Sequence, residues 1–169
     1  RGEFILGKFF GLGLTLLVNC LVMLLGILLS YAILSYSTGE GLVIAWSIIP
    51  AGYLIFLQLL LIVAIGLLFS SFSSPALSIT LSIIVYIIGS LSRDLPIFAE
   101  TVPFLVTKYL ALTLYYILPN FSNFNYVTYV AQGNIIPAKD VLIVTVYAII
   151  YTALLLVATI AIFQKRNFK

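Results

Sequence analysis

Residues 9–36 read FFGLGLTLLVNCLVMLLGILLSYAILSY, and none of these side chains is charged. A helix that crosses the hydrocarbon core of a bilayer needs about 20 consecutive apolar residues, because each residue advances the helix by about 1.5 Å. The stretch 9–36 exceeds this length, so we expect it to form a membrane-spanning helix.

The rest of the chain shares this apolar character. Of its 169 residues, 63% are hydrophobic and only 8% are charged, and the mean hydropathy is +1.26. Soluble domains carry about 25% charged residues, so a soluble fold of this size would lack the polar surface needed to cover its core. We therefore expect an all-α membrane protein whose outer surface faces lipid.

Three further apolar stretches are predicted to span the membrane, at residues 42–69, 75–92 and 140–163. Breaks rich in Ser and Gly separate the first three spans. A membrane helix tolerates Pro50, usually with a kink, and Pro75 suits the first turn of the third helix. The sequence thus predicts four spans in one transmembrane domain over residues 1–169.

The segment between the third and fourth spans has a different character, with several prolines, asparagines and tyrosines. Residues 102–118 are apolar enough for a helix, but they are few and they include Lys108. A lysine at the bilayer centre costs about 2.5–3.5 kcal/mol on insertion scales. We expect a re-entrant or interfacial helix here, and no fifth span.

Basic residues outside the spans predict the orientation of the chain. Four spans place both ends on the same side of the membrane. That side collects five of the 8 basic residues, namely Arg1, Lys8, Lys165, Arg166 and Lys169. Because basic residues concentrate in cytoplasmic segments, we expect a multi-pass protein of the cell membrane with both ends in the cytoplasm.

The charged residues also exclude several classes of function. All 8 basic and 5 acidic side chains lie outside the four apolar cores, whereas ion-coupled transporters usually keep a charge inside the membrane. The chain has no histidine, a single cysteine (Cys20) and no G-x-x-x-x-G-K-S/T phosphate loop. Its basic residues form no stripe suited to nucleic acid. We expect no catalytic or metal site, no cofactor bound by this chain itself, and no nucleic-acid partner.

Small and uncharged polar residues follow one face of each span. On the first span they recur every four residues from Gly7 onward, so they share a side of the helix. Such residues either line a pathway or let helices pack closely in lipid, and packing is the simpler interpretation. Asn19 and Gln58 are the best pathway candidates, because an unpaired amide in hydrocarbon is costly. The full set of candidates is Thr15, Asn19, Gln58, Ser82 and Thr152.

Three segments resemble ABC-2-type transporter permeases. RGEFILGKFFG at residues 1–11 resembles the R-x-E-F-x-L-G-K segment of that family, and LPNFSNF at residues 118–124 resembles the L-P-N motif before its last span. IFQKRNF at residues 162–168 is similar to the usual family ending of apolar residues, Phe and basic residues. The three segments occur in the family's order, so the resemblance covers the whole chain.

The resemblance implies a prokaryotic permease subunit of an ATP-driven transporter, with export as the expected direction. Family members have six spans, so we expect this chain to be a piece that lacks two N-terminal spans. Arg1, Glu3 and Lys8 would lie at or just after the contact with the ATPase subunit, although they also suit simple interface anchors. Pro119 and Asn120 would belong to an outer gate. The implied partners are an ATP-binding subunit that holds the ATP, a second permease copy or paralogue, and membrane lipids.

Two other classes of protein stay open. A lipid-modifying membrane enzyme would need a catalytic cluster near an interface, for which Arg93, Asp94 and Glu100 are the candidates. A non-transporting membrane scaffold would need no such cluster. The lack of histidine and of paired carboxylates within a span favours the permease over the enzyme.

Overall fold

The computed structural model of the chain describes residues 2–38, 45–92, 109, 113, 115 and 117–165. Every regular element in these ranges is helical, so the all-α membrane fold predicted from the sequence is confirmed. The elements are α1 (Gly2–Thr38), α2 (Ala45–Ser70), α3 (Pro75–Ser90), a 3-10 helix (Phe121–Phe124), α4 (Val127–Ala131) and α5 (Ala138–Lys165).

Three of these helices are long and apolar enough to cross a membrane, over Gly2–Ser37, Ser47–Ser70 and Ala138–Gln164. The third predicted span corresponds to α3, which is apolar but has only 16 residues. Such a helix is about 24 Å long, slightly shorter than a hydrocarbon core of about 30 Å.

The first helix begins earlier than predicted. The expected span started at Phe9, the first residue after the last charge, whereas α1 begins at Gly2. No proline interrupts the intervening residues, so the helix continues through them beyond the apolar stretch. The re-entrant helix expected over 102–118 lies largely outside the described residues, within which Tyr109, Thr113, Tyr115 and Ile117 are helical.

Serine and proline side chains shape the turn between α2 and α3. The hydroxyls of Ser71 and Ser73 donate to the carbonyl oxygens of Leu68 and Phe69, at 2.6 and 2.7 Å. The same two carbonyls also accept the backbone N–H groups of Ser71 and Ser73, at 3.1 and 3.0 Å, so the hydroxyls reinforce the last turn of α2. Pro75 then occupies the first turn of α3, as predicted.

The central helix of the bundle is α2, which contacts α1, α3, α5, the 3-10 helix and α4. It runs without interruption through Pro50. Leu54 and Leu61 of α2 are completely buried, and they belong to a cluster that includes Phe121, Phe124 and Ala148. The other helices therefore take their positions from α2.

The helices alternate in direction, and we name the two ends of the bundle by what they hold. The terminal end holds the start of α1 and the end of α5, where the rings of Phe4 and Phe163 stack with centroids 6.3 Å apart. The loop end holds the end of α3 and the start of α5. There, the hydroxyl oxygens of Thr145 on α5 and Tyr53 on α2 lie 3.3 Å apart, within hydrogen-bonding distance.

Candidate functional site

The chain after Leu118 folds back between the helices. Phe121 and Phe124 of the 3-10 helix are each 1% exposed. The Phe121 ring lies 5.5 Å from that of Tyr86 on α3, and the Phe124 ring lies 6.2 Å from that of Tyr147 on α5. The 3-10 helix therefore packs against the sides of α3 and α5.

Several polar groups of this inserted segment (residues 119–126) form hydrogen bonds. The Asn120 side-chain oxygen accepts from the backbone N–H of Ser122 at 3.0 Å, which caps the 3-10 helix. The backbone N–H of Asn120 donates to the Tyr147 hydroxyl at 2.8 Å, and the Ser122 hydroxyl donates to the Ser90 carbonyl at 3.1 Å. Within a membrane, irregular backbone is tolerated only where protein buries it or where it lines a cavity. The helices bury part of this segment, and the segment also lines a cavity.

A glycine in α3 makes the insertion possible. A Cβ atom at Gly89 would lie 2.5 Å from the Pro119 carbonyl oxygen and 2.6 Å from the Phe121 ring. Both distances are shorter than real Cβ contacts. Only glycine therefore lets the chain around Pro119 approach α3 this closely.

A polar cavity of about 640 Å³ lies between α2, α3, the 3-10 helix and α4. This volume falls within the range of about 300–1,000 Å³ that is typical of small-molecule sites. Most of its wall carries amide or hydroxyl groups. The lining residues are Gln58, Tyr86, Ser90, Phe121, Ser122, Asn125, Thr128, Tyr129 and Gln132.

Gln58 lies near the middle of α2 and lines the cavity there. The side chain is partly buried, and its amide makes no hydrogen bond to any residue that the structure describes. The amide faces the cavity, so water or a ligand there can take its hydrogen bonds. None of the described residues that line the cavity is charged.

Several wall groups keep unused hydrogen-bonding capacity. The Ser90 hydroxyl donates to the Tyr86 carbonyl, and the Ser122 hydroxyl donates to the Ser90 carbonyl. The oxygen atoms of both hydroxyls can still accept a hydrogen bond. The Asn125 side-chain oxygen accepts from the Val127 N–H at 3.4 Å, which leaves its amide N–H groups able to donate. The cavity therefore presents both donors and acceptors to whatever occupies it.

The other pathway candidates do not join Gln58. Thr15 and Asn19 are exposed on α1, and at Gly7 and Gly11 on the same stripe an added Cβ atom would meet nothing within 4 Å. The Thr15 hydroxyl donates to the Gly11 carbonyl at 3.0 Å. The small-residue face of α1 thus lies on the outside of the chain, and the shared interior expected from the four polar faces does not include α1.

Ser82 and Thr152 also lie away from the cavity. The Ser82 hydroxyl donates to the Ser78 carbonyl at 2.8 Å and faces Gly66 of α2, so this residue supports close packing of α2 and α3. Ser82 also borders a groove of about 350 Å³ that Lys8 lines from α1. Thr152 is partly buried on α5.

The charged residues assigned to ATPase coupling lie near the terminal end of α1. Glu3 and Lys8 are both exposed. They are five positions apart, so they point about 140° apart around the helix. Arg1 lies outside the described residues. The two described charges are accessible, but they do not form one patch.

Pro119 and Asn120, the expected gate motif, have a clear structural role. Pro119 is buried, and Asn120 caps the 3-10 helix. Just before them, the Tyr151 hydroxyl donates to the Ile117 carbonyl. The motif therefore anchors the inserted segment that forms one wall of the polar cavity.

A second polar contact joins the inserted segment to the start of α5. Burial raises the pKa of Tyr126, and the Asp140 carboxylate beside its hydroxyl raises it further. A tyrosine phenol is protonated at neutral pH, so the Tyr126 hydroxyl can donate a hydrogen bond to the Asp140 carboxylate beside it. This contact ties the loop end of α5 to the chain before α4.

Of the residues that line the cavity, only Gln58 was a site candidate from the sequence. Four of those missed lie outside the apolar stretches, where a search for polar residues within spans does not look: Asn125, Thr128, Tyr129 and Gln132. The available signal was the density of amides and tyrosines between Pro119 and Pro137.

Comparison of the chain with protein-family models, with curated proteins and with solved structures finds no match.

Proposed function

We propose that this chain is a membrane-spanning permease subunit of an ABC-2-type, ATP-driven transporter, working in export. A separate ATP-binding subunit would hydrolyse ATP and drive the change between inward and outward access. The observation that carries the proposal is a polar cavity that reaches the middle of the central helix and has no charged side chain among its described lining residues. A path for cargo needs such a cavity, whereas coupling to an ion gradient usually requires a charge inside the membrane.

The sequence motifs support the same assignment. The R-x-E-F-x-L-G-K and L-P-N segments that resemble the family fall at opposite ends of the bundle. The first begins α1 at the terminal end, and the second anchors the wall of the cavity. In this proposal, ATPase contact and cargo contact are thus made by separate parts of the chain.

A series of contacts joins these parts. Phe4 and Phe163 stack where α1 meets α5, and α5 in turn holds the 3-10 helix through Tyr147 and Asn120. A push on the start of α1 by an ATPase subunit would reach the cavity wall through α5.

The outer face of α1 supports a second permease subunit as a partner. Asn19 is exposed on this face and makes no hydrogen bond to any residue within the described ranges. An amide in hydrocarbon gains about 0.6–2 kcal/mol from a partner across a helix interface. A second copy or a paralogous permease would supply that partner.

Co-purification tests the proposal. The full-length protein should be expressed in its native organism, solubilised in a mild detergent and purified. Proteins that remain bound should be identified by mass spectrometry. We expect a nucleotide-binding subunit to co-purify, and we expect Glu3→Lys to weaken the association. Ser37→Lys, which places the same charge at the opposite end of α1, is the control and should leave it unchanged. If no nucleotide-binding subunit is ever recovered, the proposal fails.

A further inference from the structure

The polar cavity favours a neutral ligand. An ion placed among its described walls would meet no opposite charge, and burying an unpaired charge is far more costly than burying a neutral polar group. A wholly apolar ligand is equally unsuited, because it would leave the Gln58 amide and its neighbours without partners. The described walls therefore favour a ligand that is uncharged and forms hydrogen bonds.

The type of hydrogen-bonding group in the wall narrows the ligand further. Amides reach the cavity from three places: Gln58 on α2, Asn125 before α4 and Gln132 at the end of α4. Each amide carries donors on nitrogen and an acceptor oxygen. A hydroxyl group also both donates and accepts, so a ligand with several hydroxyls can match amides on different walls at once.

An aromatic surface completes the site. The rings of Tyr86 and Phe121 lie 5.5 Å apart at an interplanar angle of 53°, and both border the cavity. Tyr86 is 40% exposed, so its ring offers apolar contact and its hydroxyl adds a polar group, while the buried Phe121 ring packs against it. A ligand with a C–H face and hydroxyls around its edge would contact both kinds of wall.

We propose that this cavity binds a neutral, multiply hydroxylated group of the sugar or polyol type, either free or as the headgroup of a lipid. As transported cargo, this ligand rests on the proposed function. As a ligand of the cavity, it is bound by this chain alone and needs no ATPase subunit.

Ligand-induced stabilisation of the purified full-length protein tests the inference. The protein is prepared in a detergent without a sugar headgroup, and its unfolding temperature is measured with increasing ligand. One arm uses a free neutral disaccharide. The other uses phosphatidylcholine vesicles that contain a neutral monoglycosyl diacylglycerol. Stabilisation by the free sugar indicates a soluble ligand, and stabilisation by the glycolipid alone indicates a lipid headgroup.

Two substitutions locate the binding in this cavity. Gln58→Leu removes the amide while keeping a similar size, and we expect the dissociation constant to rise by about 2- to 10-fold, as for the loss of one hydrogen bond. Gln132→Leu should also weaken binding. Because Gln132 is exposed, we do not expect its substitution to impair folding, so this variant tests the cavity even if the Gln58→Leu protein folds poorly. Gln164→Leu, the same change near the end of α5 and away from the cavity, should leave binding unchanged.

Three outcomes would overturn the inference: no stabilisation by either probe, equal affinity in the Gln58→Leu protein, or tighter binding of a sugar phosphate than of the neutral sugar. Because the measurement omits the ATPase, a failure here leaves the permease proposal intact. Conversely, failed co-purification would leave a positive binding result intact.

Discussion

At the scale of single residues, Gly89 has the clearest structural role. Its missing side chain admits the Pro119 carbonyl and the Phe121 ring against α3. The backbone of the inserted segment cannot move aside as the end of a flexible side chain could. The position of this wall of the polar cavity therefore depends on the absence of a side chain at residue 89.

Replacing Gly89 by alanine should destabilise the protein. The added methyl group would overlap backbone and ring atoms, and overpacking of this kind costs about 1–3 kcal/mol. Thermal unfolding of the detergent-solubilised protein would measure the loss. Gly26→Ala is a matched control, because nothing lies within 4 Å of a Cβ there, and alanine in a helix is favoured over glycine by about 1 kcal/mol. Equal unfolding temperatures for the two variants would contradict the packing around Gly89.

At the scale of elements, α1 and α2 show how differently two apolar helices are used. α2 is surrounded by other elements, and its Gln58 lines the cavity. α1 packs along α2 and meets α5 at the terminal end, but leaves the face of Gly7, Gly11 and Asn19 exposed. Small residues on an exposed membrane helix let another helix approach closely, so this face suits a neighbouring subunit.

Cysteine cross-linking in membranes tests whether this face meets the second subunit that the proposed function expects. The native cysteine is first removed by Cys20→Ala. In this background, Gly11→Cys is combined with a cysteine at the equivalent position of the partner subunit, and we expect mild oxidation to form a disulfide-linked dimer. Gly13→Cys should not form one, because Gly13 faces α2 with a Leu60 methyl 3.0 Å from its Cβ position. Cross-linking that is as strong at position 13 as at position 11, or that is absent at both, would exclude this face as the interface.

At the scale of the whole molecule, the two ends of the bundle are packed differently. α1, α2 and α5 meet at the terminal end, where Ile5, Phe9, Ala64, Leu67 and Leu156 form a small core. Towards the loop end, the 3-10 helix and α4 fill the space beside α2 and leave the polar cavity. The charge distribution predicts that the terminal end faces the cytoplasm.

Labelling of intact cells with a membrane-impermeant thiol reagent tests that orientation. In the Cys20→Ala background, we expect Ser37→Cys, exposed near the end of α1, to react from outside. Ser74→Cys, exposed in the turn between α2 and α3, should react only after the cells are permeabilised. The reverse pattern would place the terminal end outside and would remove the support that orientation gives to ATPase coupling.

The sequence alone determined the lipid environment, the all-α class and the approximate positions of four apolar helices. These properties depend on local hydropathy and on helix length, which are read from consecutive residues. Only the tertiary structure decided which faces meet. It placed Gln58 in a cavity and Asn19 on the outside, and it joined Asn120 to Tyr147 and Ser122 to Ser90.

The physical reason is the solvent. A helix in lipid is apolar on its outer and inner faces alike, so no hydrophobic stripe marks the buried side. Packing and hydrogen bonds between residues distant in sequence make that choice. The uncharged stretch at residues 9–36 thus specifies a helix, whereas its exposed small-residue face follows from how α2 packs with the other helices.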